Sequence, residues 1–324
     1  MPVQILKERN SGKITSVTLG ATAEQGGTRA CTITVGGESS LPWLHFEGET
    51  PNKPVVAVEV LDRYPEEWND AVKATYGDAM KDAAAWAKAA VECGGADLIY
   101  LRLQSADPEL GASTPEQCVA TVKKVLAAVG VPVAVIGCGI DEVDNKVIPA
   151  VAEACAGENL LLGLATTENY NTIVAAAMVH KHTVIAQSPL DINMCKQLNI
   201  LITEMGIPAD RIIVDPSIGG LGYGLEYAYS VGERARIGSL QGDKMLALPT
   251  IGTVGFEAWK AKEANVGADE FPGWGDQAER GILWEAVTAA SLLQSGLDIL
   301  VMRHPEAIAL VKKNVADLMT PSSL

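Results

Sequence analysis

Histidine, phenylalanine and closely spaced cysteine are what this sequence has least of. Four histidines and three phenylalanines occur in 324 residues. The six cysteines, at 31, 93, 118, 138, 155 and 195, form no CxxC pair and have no histidine at ligand spacing. That argues against a zinc or iron–sulfur site built by this chain alone. Reduced, buried thiols in a cytoplasmic protein are the expectation. Positive charge is also short: 25 basic residues against 40 acidic ones leave a net charge of −15. Nucleic acid and anionic lipid, which recruit clustered Lys and Arg, are disfavoured as partners. No uncharged apolar run approaches a membrane span, and the start lacks the charged-then-apolar order of a signal peptide. No membrane association is expected.

What the chain does have is alternation. Residues 1–50 hold short alternating runs at Val3–Leu6, Lys13–Leu19 and Arg29–Val35, separated by Asn10-Ser11-Gly12 and Gly26-Gly27. They read as a β-ribbon extension, too small to own a core. From residue 51 to 324 a strand–helix unit repeats. Apolar, strand-like runs are expected at 54–61, 96–103, 131–137, 159–165, 182–187, 211–215, 245–250 and 297–303. Helical patterns follow at 82–93, 115–129, 146–156, 169–180, 191–205, 225–241, 277–295 and 305–318. The run 115–129 is signalled by Thr114-Pro115 at its start and Gly130 at its end. Eight such alternations predict an α/β fold, a (β/α)8 TIM barrel with an N-terminal β-hairpin extension.

Two insertions break the rhythm, an acidic, aromatic one at 62–81 and a glycine-rich, aromatic one at 251–275. Both leave carboxyl ends of strands, so both crowd the face where barrels bind ligands. Their aromatics pack onto the rim or mark a partner surface.

The strand ends supply a candidate mouth of Glu59, Asp62, Gln104, Ser105, Cys138, Thr166, Thr167, Gln187, Ser188, Asp215, Ser217, Thr250, Arg303 and His304. Uncharged hydrogen-bonding groups dominate it, without two histidines and a carboxylate for a metal or a lysine for a Schiff base. His180 and His182 fall at the opposite end and suit a structural or solvated role. Asp215, before Pro216, has two readings: a general base or pterin ligand, or an Asx-turn acceptor for its own loop. Glu59 and Asp62, three apart on a strand, face opposite ways and do not share a site. The loop with Gly219, Gly220, Gly222 and Gly224 suggests close backbone approach to a ligand. As a phosphate cradle it lacks a cation.

Four stretches are recognisable: TSVTLGATAEQGGTRACTITVGGESSLPWLHFEGE (15–49), ADLIYLRL (96–103), RIIVDPSIGGLGYGLEY (211–227) and ALPTIGTVGFEAWKAKE (247–263). Together they closely resemble the small subunit of the corrinoid iron–sulfur protein of the anaerobic acetyl-CoA (Wood–Ljungdahl) pathway. That family includes the delta subunit of archaeal acetyl-CoA decarbonylase/synthase. The resemblance implies a heterodimer with a large subunit that carries the [4Fe–4S] cluster, and a cobamide, a B12-type corrinoid, at the interface. It further implies that a methyltetrahydrofolate:corrinoid methyltransferase loads a methyl group, which acetyl-CoA synthase receives. The implied role is a methyl carrier without independent catalysis, and no catalytic residue or metal ligand is expected here. The D-x-H-x-x-G pattern of some corrinoid proteins is missing from the sequence. Contacts to the corrin side-chain amides carry over to Thr166, Gln187, Ser188, Ser217, Gly219, Gly220 and Thr250. The rival readings are a self-contained pterin-dependent barrel methyltransferase and a scaffold sealed by protein alone.

Overall fold

The computed structural model describes residues 6–267 and 269–321. Buried on both faces, the apolar runs form parallel strands: β3 (Val55–Leu61), β4 (Leu98–Arg102), β5 (Val133–Ile136), β6 (Leu161–Ala165), β7 (Thr183–Gln187), β8 (Ile212–Asp215), β9 (Ile251–Gly252) and β10 (Ile299–Met302). They hydrogen-bond in the order β8-β7-β6-β5-β4-β3-β10-β9. A bridge between Val214 and Thr250 brings the two ends together, and the Val214 N–H donates to the Pro249 carbonyl at 2.9 Å. The result is a nearly closed, eight-stranded TIM-type barrel.

Its outer ring is α2 (Ala83–Glu92), α3 (Pro115–Ala128), α4 (Asp141–Ala154), α5 (Tyr170–His180), α6 (Ile192–Glu204), α7 (Leu225–Leu240), α10 (Gln277–Ser295) and α11 (Pro305–Leu318). The insertions add α1 (Asp70–Tyr76) after β3, and α8 (Val254–Ala258) and α9 (Lys262–Asn265) after β9. Helix ends follow local chemistry. Thr114 and Gln117 form a reciprocal capping box at α3, Asp276 caps α10 through the Glu279 N–H, and Gly296 ends it in the left-handed region. Helix α4 starts at Asp141, ahead of the expected 146, with Asp141, Glu142 and Asp144 in its first turn. Those carboxylates favour the positive end of the helix dipole and extend the helix upstream of Pro149.

The expected strand at 245–250 is corrected. That run is irregular up to the bridge at Thr250, because Pro249 has no N–H to donate and Ala247 gives its carbonyl to Thr15. Regular strand is confined to Ile251 and Gly252, opposite Ile299 and Leu300, with Thr250 making the single bridge to Val214.

In the N-terminal extension, β1 (Val17–Leu19) pairs antiparallel with β2 (Ile33–Val35). The expected run Val3–Leu6 lies, apart from Leu6, outside the described residues. Val17, Leu19 and Val35 join the barrel-interior cluster with Val55, Leu98 and Ile299. The ribbon therefore plugs the amino-terminal end of the barrel. Arg29 fastens it: its guanidinium donates to the Val129 carbonyl at 2.6 Å and to Glu158 at 3.0 Å. Cys118, Cys155 and Cys195 are buried, whereas Cys31 and Cys93 are exposed, against the expectation of buried thiols. Among the described residues no helix is long and apolar enough to cross a membrane.

Candidate functional site

Every second residue of a strand faces the barrel interior. The inward set contains Val55 and Ala57, Leu98 and Tyr100, Ile185, Ile213, Ile299 and Val301. Two residues further along each strand, the same phase places Glu59, Arg102, Gln187, Asp215 and Arg303 in the uppermost layer. The mouth built on that layer has two unlike halves.

The half beside the insertions is charged and aromatic. Glu59, 1% exposed, accepts from Arg102 Nε at 3.2 Å on one oxygen and from Arg303 Nε at 2.7 Å on the other. Burial pushes its pKa up, but Arg303 and Arg102 outweigh that and hold the carboxyl below its ordinary value. Arg303 lies 3.8 Å from the Trp68 ring centroid, and Phe256 lies 5.5 Å from the Arg102 guanidinium. Trp68 packs edge-on against Trp86 at 5.4 Å, so the insertion aromatic is anchored in the core. Together with Lys260 and Gln104 these groups line a cavity of about 290 Å³.

Glu285 of α10, wholly buried, fixes the end of β10 to the second insertion. Its carboxylate accepts from the Arg303 N–H at 2.6 Å, the His304 N–H at 3.1 Å and Trp259 Nε1 at 2.8 Å. Gly255 makes room for it, since a Cβ there would fall 2.8 Å from both the Glu285 carboxylate and the Arg303 side chain. His304 turns away from the mouth: its Nδ1 accepts from the Glu306 N–H and caps α11.

The half formed by β6, β7 and β8 presents mostly uncharged groups, with Glu168 an exposed carboxylate on the β6 loop. Gln187 donates its amide to Asp215 Oδ2 at 2.9 Å, and the Ser217 N–H donates to Oδ1 at 2.9 Å. Asp215 thus closes an Asx-turn, and desolvation lifts its pKa to about 6. Ser217, held at φ +54°, donates its hydroxyl to the Ser188 carbonyl at 2.7 Å. On the next loop Thr166 accepts from the Glu168 N–H at 3.3 Å.

Of the predicted contact residues, the structure brings Gln187, Ser188 and Ser217 together and sets Thr166 beside them at the end of β6. Gly219 and Gly220 belong to the neighbouring loop, but their missing side chains face protein. A Cβ on Gly219 would meet Tyr223 and Gly224 backbone at 2.6 Å, and one on Gly220 the Glu257 carbonyl at 3.1 Å. Thr250 is the correction. It precedes β9, and its N–H and hydroxyl are turned to Asp298 at 2.7 Å and the Gly296 carbonyl at 3.3 Å. There the buried Arg236 lies between Glu38 and Asp298 at the amino-terminal end of the barrel. Asp62 accepts from Ser105 and takes no part with Glu59. His182 is fully buried, accepting from the Leu160 N–H at 3.0 Å, which is the structural role expected of it.

The chain matches the CO dehydrogenase/acetyl-CoA synthase delta subunit family over residues 16–319. It belongs to that family. Among similar delta subunits of acetyl-CoA decarbonylase/synthase complexes, that of Archaeoglobus fulgidus is 39% identical over 313 residues, covering 95% of this chain and 69% of the relative. The Methanosarcina thermophila delta 1 subunit is 38% identical over 307 residues, covering 93% and 70%. The Methanopyrus kandleri subunit is 35% identical over 301 residues, covering 93% and 74%. A role in that acetyl-CoA pathway follows. The barrel is also similar to a dihydropteroate synthase from Coxiella burnetii in complex with pteroic acid. That match has a TM-score of 0.57 and 13% identity over 94% of this chain and 100% of the other. At that identity the likeness shows the fold alone.

Arg102, Trp68 and Glu285 lie outside the candidate mouth set of this delta-family chain: Arg102 falls inside the expected run 96–103, Trp68 in the first insertion and Glu285 on a helix. For Arg102 a signal existed: it continues the inward phase of Leu98 and Tyr100. Nothing local marks Glu285, a helix residue whose partners come from two other segments.

Proposed function

We propose that this chain is the small subunit of a heterodimeric corrinoid iron–sulfur methyl carrier, and that the β6–β8 half of its barrel mouth covers a cobamide. Family membership supports the pathway, and the arrangement of Gln187, Ser188 and Ser217 carries the assignment of the surface. A corrin is ringed by neutral acetamides and propionamides, which call for neutral donors and acceptors. The rim fits that requirement. The Gln187 amide oxygen has no hydrogen-bond partner among the described residues, whereas the buried Ser188 hydroxyl lies against the Cys195 thiol of α6. When bound, the cobamide supplies a cobalt centre that takes up and passes on a methyl group.

The residues of this chain hold and shield. Asp215 keeps the Gln187 amide turned with its oxygen outward, and Ser217 fixes the position of the Ser188 backbone. The large subunit would bring the [4Fe–4S] cluster. A methyltetrahydrofolate:corrinoid methyltransferase and acetyl-CoA synthase would be the proteins that load and unload the carrier. The test is cobamide retention in the two-chain complex. Gln187→Ala with Ser217→Ala should release corrinoid on gel filtration, whereas Thr250→Val, at the other end of the barrel, should retain it. Equal retention in both variants would remove the β6–β8 rim from the site.

A further inference from the structure

We infer that the cavity on the insertion side of the mouth is a binding site for a small oxyanion, a carboxylate or a phosphate, gripped by the guanidiniums of Arg102 and Arg303. Nothing about the cobamide surface assigns this cavity, which lies under Trp68, Phe256 and Lys260. Glu59 gives one carboxylate oxygen to the Nε of each arginine, at 3.2 and 2.7 Å. A single carboxylate thereby orients both forks. The terminal Nη groups of both arginines have no protein acceptor among the described residues. Their side chains are 16% and 8% exposed, and the Nη atoms are not among the fully buried ones, so these donors open onto the cavity. Charged N–H groups that face a narrow cavity without a protein acceptor are ready to donate to a ligand that accepts from them.

Geometry and charge favour an anion there. The Arg303 guanidinium is stacked 3.8 Å from the Trp68 centroid, with Phe256 5.7 Å away on the same group and 5.5 Å from Arg102. Their planes are fixed before a ligand arrives, which suits bidentate recognition of a planar carboxylate or a phosphate. The other charges at the cavity are already compensated: Lys260 contacts Glu257 at 3.1 Å, and Glu67 contacts Arg63 at 3.1 Å. Asp215 attracts Arg102 electrostatically but gives its oxygens to Gln187 and Ser217. Two guanidiniums therefore share one hydrogen-bonded carboxylate. Gln104 also lines the cavity, and its amide oxygen is buried without a partner. The NH2 end of that amide makes no protein hydrogen bond among the described residues and is not fully buried, so it can donate to the same anion. The aromatic walls and a volume of about 290 Å³ suit a compact acid with a flat apolar body.

Isothermal titration calorimetry of the full chain, without cobamide, tests this independently of the carrier reading. Inorganic phosphate and benzoate are the probes, with benzylamine as the cationic counterpart of benzoate. Saturable binding of either anion is expected, with affinity reduced at least about tenfold in Arg303→Lys, which keeps the charge and loses the fork. Tighter benzoate would point to an organic acid as the ligand, tighter phosphate to a phosphate ester. Gln104→Ala, which leaves the Glu59 pairs intact, gives a second variant should Arg303→Lys not fold, and it should also weaken the anion. No saturable heat with either anion would overturn the inference, as would equal affinity for benzylamine or binding indifferent to both variants.

Discussion

Gln187 donates its side-chain amide to Asp215 at 2.9 Å across the ends of β7 and β8, and the other Asp215 oxygen closes its own turn onto Ser217. The carboxylate is thus a brace for the mouth. Burial lifts its pKa from 3.8 to about 6. Between those values the folded chain binds a proton that the unfolded chain has released, so this group's contribution to stability falls as pH rises through the window. A shift of this size corresponds to roughly 3 kcal/mol for a fully buried group. Glu285, lifted from 4.5 to about 6, acts in the same direction. Asp215→Asn keeps an acceptor for Ser217, and Gln187 can turn its amide over. Melting temperature should then decline less steeply between pH 4 and 6 than in the parent, as followed by circular dichroism. An unchanged slope would show that Asp215 does not titrate there.

Glu59 behaves oppositely. Its two arginines hold the carboxyl below its ordinary value, so its contribution is present above the unfolded pKa and is lost only as pH falls through the lower, folded one. Glu59→Ala leaves two nearly buried guanidiniums without their shared partner. A loss of about 3–5 kcal/mol is expected in denaturant unfolding at neutral pH. A loss below about 1 kcal/mol would mean that the arginines find other acceptors.

Glu285→Gln removes charge from an acceptor that serves three donors on two segments. The expected cost is roughly 1–3 kcal/mol. Hydrogen exchange should rise in 254–275, the insertion that Trp259 anchors, more than in α2. Uniform change across the chain would contradict a local tether.

Gly219→Ala should destabilise the chain by about 1–3 kcal/mol, because the new Cβ falls 2.6 Å from backbone atoms of its own loop. Gly273→Ala, with nothing within 4 Å of its Cβ, is the matched control. Equal melting temperatures for the two variants would mean that the loop yields without cost.

The barrel was legible because continuous β-branched runs such as Val55–Leu61 and Ile212–Asp215 read as strands buried on both faces, and because capped amphipathic helices separate them. The run 245–250 misled for a physical reason. Leu248 is apolar because it packs in the core, while Pro249 prevents regular pairing, and Thr250 went with the misplaced strand to the wrong end. Asp215 was legible as an Asx-turn from the proline that follows it. The glycines signalled close approach correctly, but the surface approached is the chain's own backbone at Tyr223, Gly224 and Glu257. The Glu59–Arg102–Arg303 cluster required following the inward phase to the last strand residue, and its meeting of three separate strands is a property of barrel closure that local sequence does not display.

The carrier reading is tested most directly by the absorbance spectrum of this chain purified anaerobically, alone and co-expressed with a candidate cluster-bearing subunit in a cobamide-supplied host. Corrinoid bands are expected in the two-chain preparation and none on the single chain. Stoichiometric cobamide on the single chain would contradict a shared interface site, and no corrinoid in either preparation would contradict the carrier itself.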